Sequence, residues 1–128
     1  MNFKQRKLAL IDLGHFLERF FDNDPQDARE SQKFHALNEL VKRAKQNNPW
    51  FTEDFVAKAL QGWKIALAEE KVEQWLAEYD FPDQPSLTLG IVSAGNIPLV
   101  GLHDVICGFI AGQNLLVKQS SKDQNLLP

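Results

Sequence analysis

The sequence predicts an α/β chain, with a helical N-terminal half over residues 1–85 and, over residues 86–128, a strand–helix–strand unit that begins a parallel sheet. Three observations predict it. Charge is unevenly spread: after residue 85 only Asp104, Lys118, Lys122 and Asp123 carry it. Apolar residues in the first half recur at three- and four-residue steps, the spacing of helix faces. The second half instead offers two short apolar runs, LTLGIVS and NLLVKQS, flanking IPLVGLHDVICGFIAG, which is long enough for a helix of about three to four turns.

The elements follow in order. Phe3, Leu10, Leu13, Leu17, Phe20 and Phe21 mark the stripe of a first helix, which DNDPQD breaks. A second helix carries Phe34, Leu37, Leu40, Val41 and Ala44, and QNNPW ends it because proline disfavours helical geometry in the residue before it. Thr52 is the expected N-cap of a third, with Glu53 and Asp54 at the positive end of the helix dipole. Its stripe is Phe55, Val56, Ala59, Leu60, Trp63 and Leu67. A short fourth helix offers Val72, Trp75, Leu76 and Tyr79, and FPDQPS closes the half. In the second half Pro98 suits the first turn of the central helix, where its missing N–H needs no partner, and Gly112 suits the C-terminal stop. A helix that is apolar nearly all round belongs against a parallel sheet, so the strand ends, SAGN and KQSS, should be neighbours.

Composition narrows the function. With 128 residues the chain is one small domain or part of one. A net charge of −3 argues against a nucleic-acid partner. The single cysteine, Cys107, has no companion for a disulfide or a metal site, and it reads as a structural mid-helix thiol with no base alongside. His103 and Asp104, adjacent in sequence, should point in different directions and form no dyad. His15 and His35 lack a partner ligand at helical spacing, so no metal is expected. The N-terminus is too polar for a secretory signal. The longest apolar stretch, around residues 97–112, is broken by Pro98, His103 and Asp104 and falls short of the ~18–20 residues that span a bilayer. The expectation is a cytoplasmic protein with no membrane span. Trp50, Phe51, Trp63, Trp75 and Tyr79 read as packing, and Glu69, Glu70 and Glu73 as a solvated helix face.

Open α/β sheets bind ligands beyond the carboxyl ends of their strands, which concentrates the chemistry at Asn96 and Lys118. A nucleotide there would use backbone N–H groups near the helix start, close approach at Ala94 and Gly95, and the cation and hydroxyls of Lys118, Ser120 and Ser121. Spacing alone is weak: there is neither GxGxxG nor a Walker sequence, and an Asn before a helix also serves as an ordinary N-cap.

The stretch LTLGIVSAGNIPLVGLHDVICGFIAGQNLLVKQSS resembles the aldehyde dehydrogenase superfamily segment in which a strand leads to an Asn–Pro motif, then a helix, then a strand ending in Lys-Pro-Ser-Glu. More closely, AGNIPLVGLHDVICGFIAG with VKQSSKD, preceded by NNPWFTEDFVAKAL, resembles the acyl-CoA reductase branch, the LuxC-like fatty-acid reductases. The resemblance covers residues 47–128 and implies a Rossmann-like sheet of the aldehyde dehydrogenase type. It implies that Asn96 is the amide that stabilises a thiohemiacetal oxyanion, a role in which one such donor lowers a barrier by about 3 kcal/mol. It also implies that Val92, Ser93 and Ala94 contact the cofactor, that Lys118 binds the adenosine ribose and that Ser120 matches the family serine.

Three departures qualify it. Gln119 replaces a proline. Ser121 stands where NAD-preferring members place a glutamate, which favours NADP(H) over NAD(H). Gly95 replaces a bulky aromatic, so the pocket wall there must be formed differently. The family's nucleophilic cysteine follows well after the lysine strand, and the chain is accordingly expected to be the N-terminal piece of a longer enzyme, inactive alone. That enzyme would take an acyl-CoA or other acyl thioester as a cysteine thioester and reduce it to aldehyde. The alternative is a non-enzymatic helical interaction module whose strand–helix–strand tail completes a partner's sheet. Either way, an exposed strand edge predicts oligomerisation or aggregation.

Overall fold

The computed structural model describes residues 1–81 and 85–126, so residues 82–84 of the FPDQPS link and the last two residues lie outside the described residues. Five helices and two strands occur among them: α1 (Phe3–Asp22), α2 (Ala28–Asn47), α3 (Glu53–Ala66), α4 (Glu69–Leu76), β1 (Thr88–Val92), α5 (Leu102–Ile110) and β2 (Asn114–Lys118). The protein is mostly helical, with a small parallel sheet.

Local chemistry sets the helix ends. Asn2 and Gln5 exchange side-chain-to-backbone hydrogen bonds of 2.9 Å at the start of α1, satisfying donors that the first turn leaves free. At its end Asn23 turns left-handed (φ 53°), and the N–H groups of Asn23 and Asp24 donate to the carbonyls of Phe20 and Arg19. Asp27 caps α2, accepting from the Glu30 N–H at 2.7 Å. Thr52 caps α3, as the sequence predicts, accepting from the Phe55 N–H at 3.2 Å. The Arg19 guanidinium grips the Glu30 carboxylate at 2.7 and 3.1 Å, joining α1 to α2. That hydrogen bond, with help from the Gln26 N–H, holds the Glu30 carboxyl below the usual range.

Two apolar clusters form the core, and each draws on both halves of the chain. Leu10 and Ile11 of α1, Leu67 after α3, and Val72 and Leu76 of α4 pack with Ile106 and Ile110 of α5. Leu17, Ala44, Phe51, Val56 and Leu60 pack with Leu99 from the loop after β1. The halves therefore share one interior across the predicted boundary at residue 85. Leu13 and Phe55, placed on the apolar stripes by spacing, are exposed.

The central helix begins later than the sequence predicts. Residues 98–101 form turns and α5 starts at Leu102, so Pro98 precedes the helix rather than occupying its first turn. The cause is Leu99, whose φ of 60° breaks a right-handed path. A branched residue resists that conformation, and burial of its side chain in the second cluster holds it there. Asn96 is consequently no N-cap; Gly101 takes that position without a side-chain hydrogen bond. The other end follows prediction. Gly112 (φ 76°) ends α5, with the Gly112 and Gln113 N–H groups donating to Phe109 and Gly108.

β1 and β2 pair in parallel, from Thr88 opposite Asn114 to Val92 opposite Lys118. Leu89 and Leu115 on one face pack against Gly108 of α5, where an added Cβ would collide with Leu115. Gly90, Val92, Leu116 and Lys118 lie on the other face, which no element among the described residues covers: Val92 is 77% and Leu116 69% exposed.

Candidate functional site

The carboxyl ends of the two strands meet, as predicted. The Ser93 N–H donates to the Lys118 carbonyl at 3.0 Å, extending the ladder one step beyond the strands. Next along, Gly95 presses so closely on Ser120 and Lys122 that a Cβ there would collide with both. Close approach, rather than turn geometry, is what requires glycine at this position.

Asn48, at the end of α2, reaches this loop. It is 6% exposed, its Nδ2 donates to the Gly95 carbonyl at 3.2 Å, and its Oδ1 accepts from the Trp50 N–H at 3.1 Å. One buried amide thus ties the NNPW corner to the SAGN loop and satisfies backbone groups on both. Around it lies a depression of about 400 Å³, whose rim includes Asn47, Trp50, Asn96 and Lys122. Asp123, also buried, accepts from the Leu126 N–H at 3.1 Å, while its own N–H donates to the Ser120 carbonyl. The segment after β2 is thereby turned back toward the helical layer.

The residues predicted from sequence are distributed around this point. Asn96 is exposed, and its amide has no hydrogen bond among the described residues. Lys118 stands opposite Val92 on the open sheet face, outside the depression; Lys122 is the lysine beside Asn96. The Ser93 hydroxyl is buried with no partner among the described residues, and Ala94 is exposed. Ser120 Oγ accepts from the Lys122 N–H at 3.2 Å, whereas Ser121 is exposed. The structure thus gathers Ser93, Gly95, Asn96 and Ser120, with the backbone of Lys118, at one end of the sheet.

Two expectations about α5 are corrected. Cys107 does have a base alongside: His103, one turn earlier, places its Nδ1 3.8 Å from Sγ, as helical neighbours four apart must meet. His103 and Asp104 also do not diverge, since His103 Nδ1 lies 3.9 Å from the Asp104 carboxylate, although both side chains are largely in solvent. The thiol is nevertheless poorly suited to attack. Burial pushes it above its ordinary range and the Asp104 carboxylate adds to the rise, so the thiolate is disfavoured. A larger depression of about 620 Å³ lies between α1 and α2, lined by the paired Arg19 and Glu30 and far along the chain from these groups. Among the described residues no three His, Cys, Asp or Glu side chains group to hold a metal ion, and no helix is long and apolar enough to cross a membrane.

Sequence reasoning missed Asn48 and misread Trp50. Trp50 is 82% exposed and is not packing; Tyr79 is exposed but its ring lies against Phe81, centroids 6.1 Å apart; Phe51 is fully buried, and Trp63 and Trp75 pack against the core clusters. An Asn just before a proline at a helix end is a signal for an Asx turn. No family model, curated protein or solved structure matches this chain.

Proposed function

We propose that this chain is the cofactor-side, N-terminal part of an acyl-CoA reductase of the aldehyde dehydrogenase superfamily, with a Rossmann-like sheet that β1 and β2 begin. The observation that carries the reading is the junction of the strand ends, where the Ser93 N–H meets the Lys118 carbonyl and Asn96 stands free beside them. The buried Ser93 hydroxyl, without a hydrogen-bond partner among the described residues, fits a site that binds a polar ligand group.

On this reading Val92, Ser93, Ala94, Lys118, Ser120 and Ser121 hold NADP(H), which supplies the hydride when bound. The Lys118 ammonium and the Ser120 and Ser121 hydroxyls would supply the cation and donors for its ribose and phosphate oxygens, and Ser121 in place of a carboxylate would spare a 2′-phosphate from repulsion. The Asn96 amide donates to the oxygen of the acyl group as negative charge develops there. An amide does this without titrating, so the contribution holds across the working pH range. The nucleophile is a cysteine other than Cys107, whose thiol is held protonated. The chain alone is inactive, and the enzyme is cytoplasmic.

The test is a reductase assay on the product of the whole reading frame that encodes this chain, with an acyl-CoA and the loss of NADPH absorbance as readout. The expected result is turnover that Asn96→Ala lowers about 100- to 1,000-fold in kcat. An absence of NADPH consumption, or an unchanged kcat in Asn96→Ala, overturns the reading. A second reading, a helical module whose strands complete a partner's sheet, is favoured by the apolar residues on the uncovered sheet face.

A further inference from the structure

A depression of about 320 Å³ lies where the end of α4 meets α5, away from the strand ends that the reductase reading uses. Three aromatic rings line it, Trp75 of α4 with Tyr79 and Phe81 just after that helix, together with His103, Cys107 and Ile110, whose spacing puts them on one face of α5. The protein itself holds the rings in place. Trp75 packs against the first core cluster, Phe81 stacks on Phe3 with centroids 4.6 Å apart, and Tyr79 leans on Phe81 at 6.1 Å. Tyr79 is nevertheless 59% exposed and belongs to neither core cluster, so its ring does not fill the interior.

The charge around the rings has one sign. No lysine or arginine is among the described residues that line the depression. Arg6 meets Ile110 only at the backbone, where its Nε donates to the Ile110 carbonyl at 3.1 Å, and its Nη1 donates to the Met1 carbonyl. The Asp104 carboxylate stands 3.9 Å from the His103 ring. Burial first and that carboxylate second raise the Cys107 thiol, so Asp104 projects a negative potential onto a wall that itself stays neutral. Ring faces are the negative part of an aromatic quadrupole and attract a cation that sheds its water. A quaternary ammonium does so readily, because it has no N–H to leave unpaired, whereas a lysine ammonium is strongly hydrated. A neutral apolar ligand would gain from the area of the rings but nothing from the field of Asp104.

We infer that this depression binds a quaternary ammonium group, with the rings of Trp75, Tyr79 and Phe81 around its methyl groups and Asp104 supplying the opposite charge. The inference does not rest on the reductase reading and assigns none of its cofactor or catalytic residues a second role. Two sources carry such a group, a free choline-type solute and the trimethylated lysine of a peptide.

The test titrates the isotope-labelled 128-residue chain by NMR at constant ionic strength, following the Trp75 indole N–H and the backbone amides of Tyr79, Phe81, His103 and Cys107. The titrants are choline, its uncharged carbon isostere 3,3-dimethylbutan-1-ol, and N-acetyl-lysine methylamide with and without trimethylation. Trp75→Phe assigns the indole signal. The expected result is a saturable shift of these signals with choline or the trimethylated lysine, and binding at least about tenfold weaker for the isostere and the unmethylated lysine. The ammonium that binds more tightly identifies the source. Tyr79→Leu, a change at an exposed side chain that keeps apolar volume and removes a ring face, leaves the remaining spectrum intact and raises Kd about tenfold, whereas Tyr79→Phe binds as the parent does. Asp104→Asn weakens binding by a smaller factor, since its carboxylate is open to solvent. Equal affinity for choline and its isostere would make the depression an ordinary apolar one and overturn the inference. So would silence of the Trp75 indole with both ammonium ligands, or an unchanged Kd in Tyr79→Leu. Failure of the whole-frame enzyme to consume NADPH bears on the reductase reading alone.

Discussion

The helical layer and the strand–helix–strand unit solve the same problem to different degrees. The four N-terminal helices turn their apolar stripes on one another and on α5, and three of their four N-termini carry a side-chain cap. The parallel pair is covered by α5 on one face only, and its other face leaves Val92 and Leu116 in water. Parallel strands are ordinarily buried on both faces. The difference bears on the candidate site: Asn47, Asn96, Lys118 and Lys122, whose side chains have no partner among the described residues, sit where the less enclosed unit meets the enclosed one or beside its open face.

The comparison breaks most severely if the two regions prove separable. Ile110, 2% exposed, belongs to α5 but packs with Leu10, Leu67 and Val72 of the helical layer. Ile110→Ala is expected to cost about 2–5 kcal/mol, through lost transfer energy and a cavity. Urea unfolding should show one transition, coincident by circular dichroism and tryptophan fluorescence, displaced to lower urea. Two separated transitions would mean that the strand–helix–strand unit has a stability of its own.

A smaller effect is expected at the tether between the regions. Asn48→Ala leaves the Gly95 carbonyl and the Trp50 N–H without their side-chain partner, at a cost of about 1–3 kcal/mol. Asn48→Asp keeps the acceptor for Trp50 but loses the donor to Gly95 and buries a charge, so it should cost at least as much as alanine. Urea unfolding measures both, and hydrogen exchange at the amides of residues 94–96 should quicken more than at the centre of α3. An Asn48→Asp protein as stable as wild type would remove the tether from the account.

Much of this arrangement was legible because it is local. The Thr52 cap and the Gly112 stop each follow from residues within a few positions of one another, and the neighbouring strand ends from the order strand, helix, strand along one short segment. The late start of α5 was not legible, because only the burial of Leu99 against Leu17, Phe51 and Val56 sustains its left-handed backbone. Trp50 was misread because aromatic spacing cannot tell a helix face from the corner that ends a helix. The Asn48 bond to Gly95 spans 47 positions and leaves no periodic trace. The His103–Cys107 contact, in contrast, was there to be read from a four-residue separation.

The mildest test concerns the two faces of a single strand. Leu116 and Leu115 are neighbours on β2, but Leu115 meets Gly108 of α5 whereas Leu116 is 69% exposed. Successive strand residues point to opposite faces, so one substitution has two different meanings. Leu115→Lys drives an ammonium under α5 and should unfold the sheet end of the molecule. Leu116→Lys should change stability by no more than about 0.5 kcal/mol, the range for surface sites that make no special contact. It also places charge on an apolar face beside an unpaired edge, which natural sheets use to prevent edge-to-edge association. Light scattering at rising concentration should therefore show less self-association in Leu116→Lys than in the parent chain. A marked loss of stability in Leu116→Lys, equal to that of Leu115→Lys, would show that the open face is covered in solution, and the contrast between an enclosed region and an open one would fail.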